Sequence, residues 1–316
     1  MSKKMTIIIP TLNEPDNEAY NTVKNIYETA DSNLFDIIVI DDCSDSKYRL
    51  NFNDFTGVRL IRNNKRIGVD ECRQMGGELA ATDNILILDS HMRFFNNSNW
   101  LNKMIECCEK EPTTLYCSVS LGLGYHVGMD LSKACGKYYA ADLLFYDKTA
   151  PANRQSREIL EPKWRSKEEK GEIYEVPIVL GAVYFMRRDR FHYLHGLKNL
   201  KMWGSSEVFL SLKNYLAGGV NKIHTGIEVG HRYRDNSPFV TEIRWLYYNK
   251  AYLCNTILPD DLSVKILGYL PKDINYKMAM EAITQNKTEI DKERQYYQSI
   301  FTRKIQDFCN RFGISL

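Results

Sequence analysis

The feature that most constrains this chain is a series of short aliphatic runs, each stopped by a polar cluster. Met5-Thr6-Ile7-Ile8-Ile9-Pro10 is β-branched and ends at proline, the pattern of a buried strand. Residues 35–40 repeat it and end in Asp41-Asp42, residues 58–62 form a third run, and residues 85–88 deliver Asp89. Helical patterns at 18–29 and 69–81 lie between them. Alternating strands and helices predict an α/β fold with a mainly parallel central sheet. Ligands of such sheets bind at the carboxyl ends of the strands. Those ends hold Thr11-Asn13-Glu14, Asp41-Asp42 and Asp89-His91.

The middle of the chain carries less pattern. Residues 121–170 read as loop-rich, with 154–170 a charged, solvated or mobile segment. Gly122-Leu123-Gly124 lacks the full dinucleotide fingerprint. A strand-like apolar run spans 176–186, interrupted at Gly181-Ala182, and a helix is expected from Val208 to Leu216. In the tail, Ile290, Tyr296, Tyr297, Ile300, Phe301, Ile305 and Phe308 recur near helical spacing. That predicts a helix packed on the main domain, in preference to a dimerisation helix. The expected division is a main domain over 1–248 and a helical C-terminal extension over 249–316.

Composition narrows the class. With 44% hydrophobic and 26% charged residues the chain reads as an ordinary soluble globular protein. A net charge of +2 makes no general electrostatic case for nucleic-acid binding. None of the eight cysteines forms a C-x-x-C pair, which removes the usual support for zinc-ribbon or thioredoxin chemistry. They read as reduced and structural, implying a cytoplasmic compartment (that of a host cell for a viral protein). No leader-like core and no run of about 18 apolar residues is present, so only peripheral membrane contact is expected. Oligomeric state stays open.

Two ligands separated by one residue at a strand end project towards the same ion, and Asp89 and His91 have that spacing. An imidazole in the set shifts the expected ion from magnesium towards manganese. Alone, the pair is better read as a capping carboxylate beside a surface histidine.

The surroundings of the pair decide between these. The stretches Ile8-Ile9-Pro10-Thr11-Leu12-Asn13-Glu14, Val39-Ile40-Asp41-Asp42-Cys43-Ser44-Asp45 and Lys65-Arg66-Ile67-Gly68 with Arg73 and Gly76 precede it. Asp89-Ser90-His91 with Asn99-Trp100-Leu101, then Pro177 to Arg188, Met202-Trp203-Gly204-Ser205-Ser206-Glu207 and Gly230-His231-Arg232-Tyr233-Arg234 complete the set. In order and spacing these resemble the polypeptide N-acetylgalactosaminyltransferases and their family 2 relatives, over roughly residues 5–245.

That resemblance implies a GT-A fold, a single nucleotide-binding α/β/α domain, and transfer of a sugar from a UDP-sugar donor with a divalent ion such as Mn2+. It implies His231 as third metal ligand beside Asp89 and His91, with a buried core histidine as the bland alternative. Thr11, Glu14, Asp41 and Arg73 would surround the uridine, Arg66 would approach the phosphates, and Gly181, Ala182 and Trp203 would belong to the donor pocket. Arg234 would stabilise the diphosphate, on a loop from Tyr233 to Val240 that closes over the donor. The chain departs from the family's W-G-G-E-N block, having Ser206 then Glu207. Glu207 therefore has three roles open to it: holding sugar hydroxyls, acting as the base of an inverting reaction, or capping a helix.

Retention is the expected stereochemistry, with inversion through Glu207 open. The acceptor hydroxyl belongs to a protein, a glycan or lipid intermediate, or a hydroxymethylated DNA base. In the last case Arg154, Arg157, Lys163, Arg165 and Lys167 are the residues to grip phosphates. A nucleotidyltransferase is disfavoured because no glycine-rich loop follows the first strand. A donor-binding module without catalysis is disfavoured by the complete ligand set.

Overall fold

The computed structural model describes residues 2–95, 99–124, 136–146, 158–234, 237 and 239–315. Arg154, Arg157, Cys135 and part of the 233–240 loop lie outside them. The strands are β1 (Met5–Thr11), β2 (Phe35–Asp41), β3 (Val58–Arg62), β4 (Asn84–Leu88), β5 (Met92–Phe94), β6 (Thr114–Gly124), β7 (Gly136–Tyr138), β8 (Ala141–Tyr146), β9 (Ile159–Trp164), β10 (Ile173–Glu175), β11 (Val183–Arg187) and β12 (Val220–Tyr233). The α-helices are α1 (Glu18–Thr29), α2 (Val69–Leu79), α3 (Trp100–Lys110), α4 (Arg188–Tyr193), α5 (Ser206–Leu216), α6 (Ile243–Ile257), α7 (Asp260–Gly268), α8 (Ile274–Gln285), α9 (Lys287–Ile300) and α10 (Ile305–Phe312).

The main sheet runs β10-β12-β6-β11-β4-β1-β2-β3, with β5 added to β12 and β7 to β6. Parallel pairing joins β3, β2, β1 and β4, while β11 runs antiparallel to both β4 and β6, which restores the common direction in β6 and β12. The sheet is thus mixed but mostly parallel. Strands β1 and β4 are buried along their whole length, which is why they read as continuous apolar runs rather than alternating ones. Two apolar clusters cover the sheet's faces. One gathers Ile7, Ile9, Val39 and Leu88 with α1 and α3, the other Ile8, Ile40 and Ile87 with α5 and the C-terminal helices.

Three expectations are corrected. The segment read as loop-rich holds the end of β6 and strands β7 to β9, and the β8–β9 pair forms a separate two-stranded sheet. Charged residues and Pro162 hide β9, because a two-stranded ribbon leaves one edge unpaired where proline is tolerated. In the run 176–186 only Val183–Arg187 is strand; the residues before it are buried but irregular. The tail is two helices, broken where Thr302 and Arg303 donate backbone N–H groups to Leu216 O and restarted where the Asp307 carboxylate accepts from Lys304 N at 2.8 Å. The expected boundary after residue 248 falls inside α6. Among the described residues no helix is long and apolar enough to cross a membrane, and the seven described cysteines are free.

Candidate metal and donor site

Strand β4 ends at Leu88, and the chain turns through Asp89-Ser90-His91 into β5. Thr22 on α1 holds that turn, its hydroxyl donating to Ser90 O at 2.9 Å and receiving Met92 N at 3.0 Å. Strand β5 pairs antiparallel with β12 so that His231 faces Met92, and Arg232 N donates to His91 O at 3.0 Å. Sheet register therefore brings together histidines 140 positions apart.

One ligand atom from each of Asp89, His91 and His231 lies within 4.8 Å of the others. The two Nε2 atoms are 3.2 Å apart, and His231 Nε2 stands 3.5 Å from Asp89 Oδ2. Two nitrogens bound to one ion at about 2.1 Å and right to tetrahedral angles are roughly 3.0–3.4 Å apart, so the histidine pair fits a shared ion. Burial pushes His231 below the ordinary histidine range, against the pull of Asp89, which favours the neutral imidazole a metal needs. Burial opposes the charge on Asp89, but His231, Arg73 and His91 together hold its carboxyl well below the usual carboxylate range.

Glu14 is buried behind this set. Its Oε1 accepts from Ser90 Oγ at 2.7 Å and from Arg234 Nη1 at 2.9 Å, and lies 3.3 Å from His91 Nδ1. A carboxylate on Nδ1 fixes the tautomer that leaves Nε2 free to ligate. The structure thus places Glu14 behind the metal ligands while it also lines the first cavity with Thr11. Arg73, also expected near the uridine, is buried among the acids: Nη2 donates to Asp89 Oδ1 at 2.8 Å, and Nη1 donates to Ser206 Oγ at 3.1 Å and stands 3.7 Å from Glu207 Oε1.

Two cavities meet at this cluster. The first is lined by Thr11, Glu14, Asp42, Arg66, Arg73, Asp89, His91, Trp203 and Arg234, with the Arg66 guanidinium 4.9 Å above the Phe239 ring. Asp41 does not line it. Its carboxylate accepts from Arg62 and from Ser44 N, leaving a turn-holding role. Asp42 points to the cavity side, yet its oxygens accept from Ile67 N, Gly68 N and Asn63 Nδ2. Gly68 (φ 99) sits where any Cβ would fall 2.1 Å from Met202 Cα; that close approach brings the tryptophan block against α2.

The second cavity, of about 480 Å3, is lined by Gly181, Ala182, Trp203, Ser205, Glu207, His231 and Arg234, and also by Glu161 and Trp164. A Cβ on Gly181 would lie 2.0 Å from Glu207 Oε1, so the glycine makes room for that carboxylate. Glu207 is not the cap of α5: Ser205 is, in a left-handed conformation (φ 71) that costs an L residue roughly 1–2 kcal/mol. Sequence reasoning missed Asp70, which looks like an ordinary helix-start acid, Glu161 and Trp164, for which β9 gave no readable signal, and Lys250 on α6.

Residues 6–125 match the family described as Glycosyl transferase family 2. Over that segment the chain is similar to family 2 glycosyl transferases. This segment supplies Thr11, Glu14, Arg66, Arg73, Asp89 and His91, while Gly181, Trp203, Glu207, His231 and Arg234 come from beyond it. Polypeptide N-acetylgalactosaminyltransferase 10 of Homo sapiens is 27% identical over 243 residues, covering 74% of this chain and 38% of that protein. Polypeptide N-acetylgalactosaminyltransferase 4 of Mus musculus is 25% identical over 246 residues, covering 74% and 40%. The chain therefore spans less than half the length of these curated relatives. The crystal structure of GalNAc-T7 with UDP, GalNAc and Mn2+ matches with a TM-score of 0.64 at 19% identity, over 91% of this chain and 58% of that one. The matched segment and the strands beyond it share that protein's α/β architecture, the GT-A fold.

Proposed function

We propose that this chain is a metal-dependent glycosyltransferase that moves a sugar from a UDP-sugar to an acceptor hydroxyl. The observation that carries the reading is the convergence of Asp89, His91 and His231, with Glu14 behind His91, between two cavities. A manganese or similar ion held by these three residues would supply Lewis-acid stabilisation of the departing diphosphate. Thr11 and Arg66, with the Phe239 ring, take the nucleoside end, and Arg234 offers its guanidinium to the phosphates. Gly181, Ala182, Trp203 and Glu207 surround the transferred sugar. In the transfer the anomeric C–O bond to phosphate breaks with its electron pair going to the diphosphate, while the acceptor oxygen bonds to the anomeric carbon and gives up its proton.

The contact of Glu207 with Arg73 and the space Gly181 leaves for it favour a sugar-holding role and hence retention, with the diphosphate oxygen taking the proton. In the inverting alternative Glu207 takes it. The free, mostly buried cysteines support a reducing, cytoplasmic site of action. The division into a catalytic domain over 1–248 and a helical extension over 249–316 belongs to the same proposal.

The test is UDP release from a mixture of UDP-sugars with and without Mn2+. Wild type is expected to release UDP only with the ion, and Asp89→Ala and His91→Ala to lose at least about 100-fold of that rate. Retained metal-dependent release in either variant removes the central claim.

A further inference from the structure

The second cavity contains groups that the donor does not need. Glu161 lines this cavity and not the first, keeping 22% side-chain exposure. The ammonium of Lys250, with no exposed side chain at all, donates to Glu161 Oε1 and to Ile159 O. Burying an ammonium costs several kcal/mol unless it is paired and hydrogen-bonded, and this one is committed to one oxygen of Glu161. The other oxygen has no hydrogen bond among the described residues.

Two further observations point to a ligand. Ser205 is 3% exposed, lines the same cavity, and its hydroxyl has no partner among the described residues. Trp164 and Trp203 stay 45% and 43% exposed on the cavity's walls. Trp164 is held edge-on by Tyr138 at 5.0 Å and faces Tyr233 at 6.0 Å, and Tyr233 in turn packs on His231 at 4.1 Å. An aromatic wall thus runs from the surface to the metal ligands.

We propose that the part of this cavity beyond the transferred sugar is a saccharide acceptor subsite, in which Trp164 lies against a sugar ring and Glu161 and Ser205 bond its hydroxyls. The inference rests on the glycosyltransferase reading and names its acceptor class. Carboxylate oxygens are pure acceptors and suit vicinal hydroxyl donors, while an indole face, negative at its centre, suits the C–H face of a pyranose. Charge argues against a cationic acceptor and against DNA. Glu161 is balanced by Lys250 and Glu207 by Arg73 at 3.7 Å, so the cavity does not call for a cationic acceptor. A DNA phosphate would meet two carboxylates, and Arg165, from the basic stretch noted in the sequence, is already paired with Asp142 and Glu169 at 2.8 Å.

The experiment uses the full chain with Mn2+ and has two arms. In the first, methyl glycosides of glucose, galactose, mannose and N-acetylglucosamine, a Ser/Thr peptide and duplex DNA are compared for stimulation of UDP release from mixed UDP-sugars. At least one glycoside is expected to raise release about fivefold or more, and Trp164→Ala and Glu161→Gln to raise its KM about tenfold with a smaller change in donor KM. In the second, saturation-transfer NMR with UDP and Mn2+ present reads glycoside binding without turnover. Its signal is expected in wild type and to fall at least threefold in Trp164→Ala, an exposed position where folding is not at stake. Stimulation by peptide or DNA alone, or UDP binding with no glycoside signal, overturns the inference and leaves the donor reading standing. Failure to bind UDP with Mn2+ overturns the donor reading itself, and the acceptor inference with it.

Discussion

Glu14 and Asp70 are both buried carboxylates joined to the Asp89, His91 and His231 cluster, Glu14 through His91 and Asp70 through Arg73, yet their surroundings drive them in opposite directions. Burial works against the charge of Glu14, but His91, Arg234 and Ser90 together hold it below the usual range. It is therefore an anionic acceptor for His91 Nδ1. Glu14→Gln keeps the shape and removes the charge, and is expected to weaken Mn2+ binding ten- to a hundredfold, read by electron paramagnetic resonance of the free ion. Unchanged affinity would leave Glu14 with only a packing role. Asp70, wholly buried, is pushed up to about 7, chiefly by burial, with Arg73 opposing and Glu207 adding to the rise. The folded state then holds a proton more tightly than the unfolded chain, where an aspartate titrates near 3.9. The stability Asp70 contributes is complete below the unfolded value and is lost as pH rises through about 7. Asp70→Asn is expected to be more stable than wild type at pH 8.5, by up to about 4 kcal/mol, and to show no such gain at pH 4. Equal urea midpoints at both pH values would show that Asp70 stays ionised. The residue scale also marks where sequence reading runs out. Asp89 and His91 are legible because a strand end and a two-residue spacing suffice to aim them at one point. Asp41 and Asp42 are not, because adjacent residues at a strand end point to opposite sides and nothing local says which side is the cavity.

The elements place these residues through close backbone packing. Helix α2 lies so near β1 that a Cβ on Gly76 would fall 2.2 Å from Ile8 Cγ2, and one on Gly77 2.4 Å from Phe191 Cε1. That approach carries Asp70 and Arg73 under the end of β4. An alanine in a helix interior normally gains roughly 1 kcal/mol over glycine, but overpacking a dense core costs about 1–3 kcal/mol. Gly76→Ala is therefore expected to destabilise the protein by about 1–2 kcal/mol, measured by urea unfolding. A net gain would mean that α2 moves away from β1 freely. Strands β1, β2 and β4 and helices α1 and α2 are readable from the sequence because burial on both faces leaves uninterrupted apolar runs and the helices show clean periodicity. The β8–β9 ribbon is not. Its strands form a sheet of their own, joined to the rest by a bridge from Ala141 to Ile178, its exposed edge admits Pro162, and its charged residues break the apolar pattern. Glu161 and Trp164, two of the residues proposed to meet an acceptor, therefore sit in the least legible element.

At the scale of the whole molecule, the C-terminal helices belong to the same core as the site. Tyr297 is fully buried, its hydroxyl receives Lys213 Nζ from α5 at 3.2 Å, and Ile290 and Phe308 are at most 4% exposed in the same cluster. His195, just beyond α4, stacks on Tyr296 at 3.8 Å and bonds Glu293 at 2.8 Å, while Lys198 bonds Glu289 and Glu293 at 2.8 Å. The sequence tells that this tail is apolar on one side, but not that its partner is α5, whose first turn carries Glu207. Ile290, Tyr297 and Phe308 each contribute about 1.5–3 kcal/mol by burial, and the helix Lys213 sits on would lose its cover. Ending the chain at residue 286 is therefore expected to lower the melting temperature by more than about 10 °C and to abolish UDP binding together with the cooperative transition, both followed by calorimetry. A truncated chain that melts where the full chain does, and still binds UDP, would instead make residues 287–316 an appendage with no part in holding α5 and its carboxylate in place.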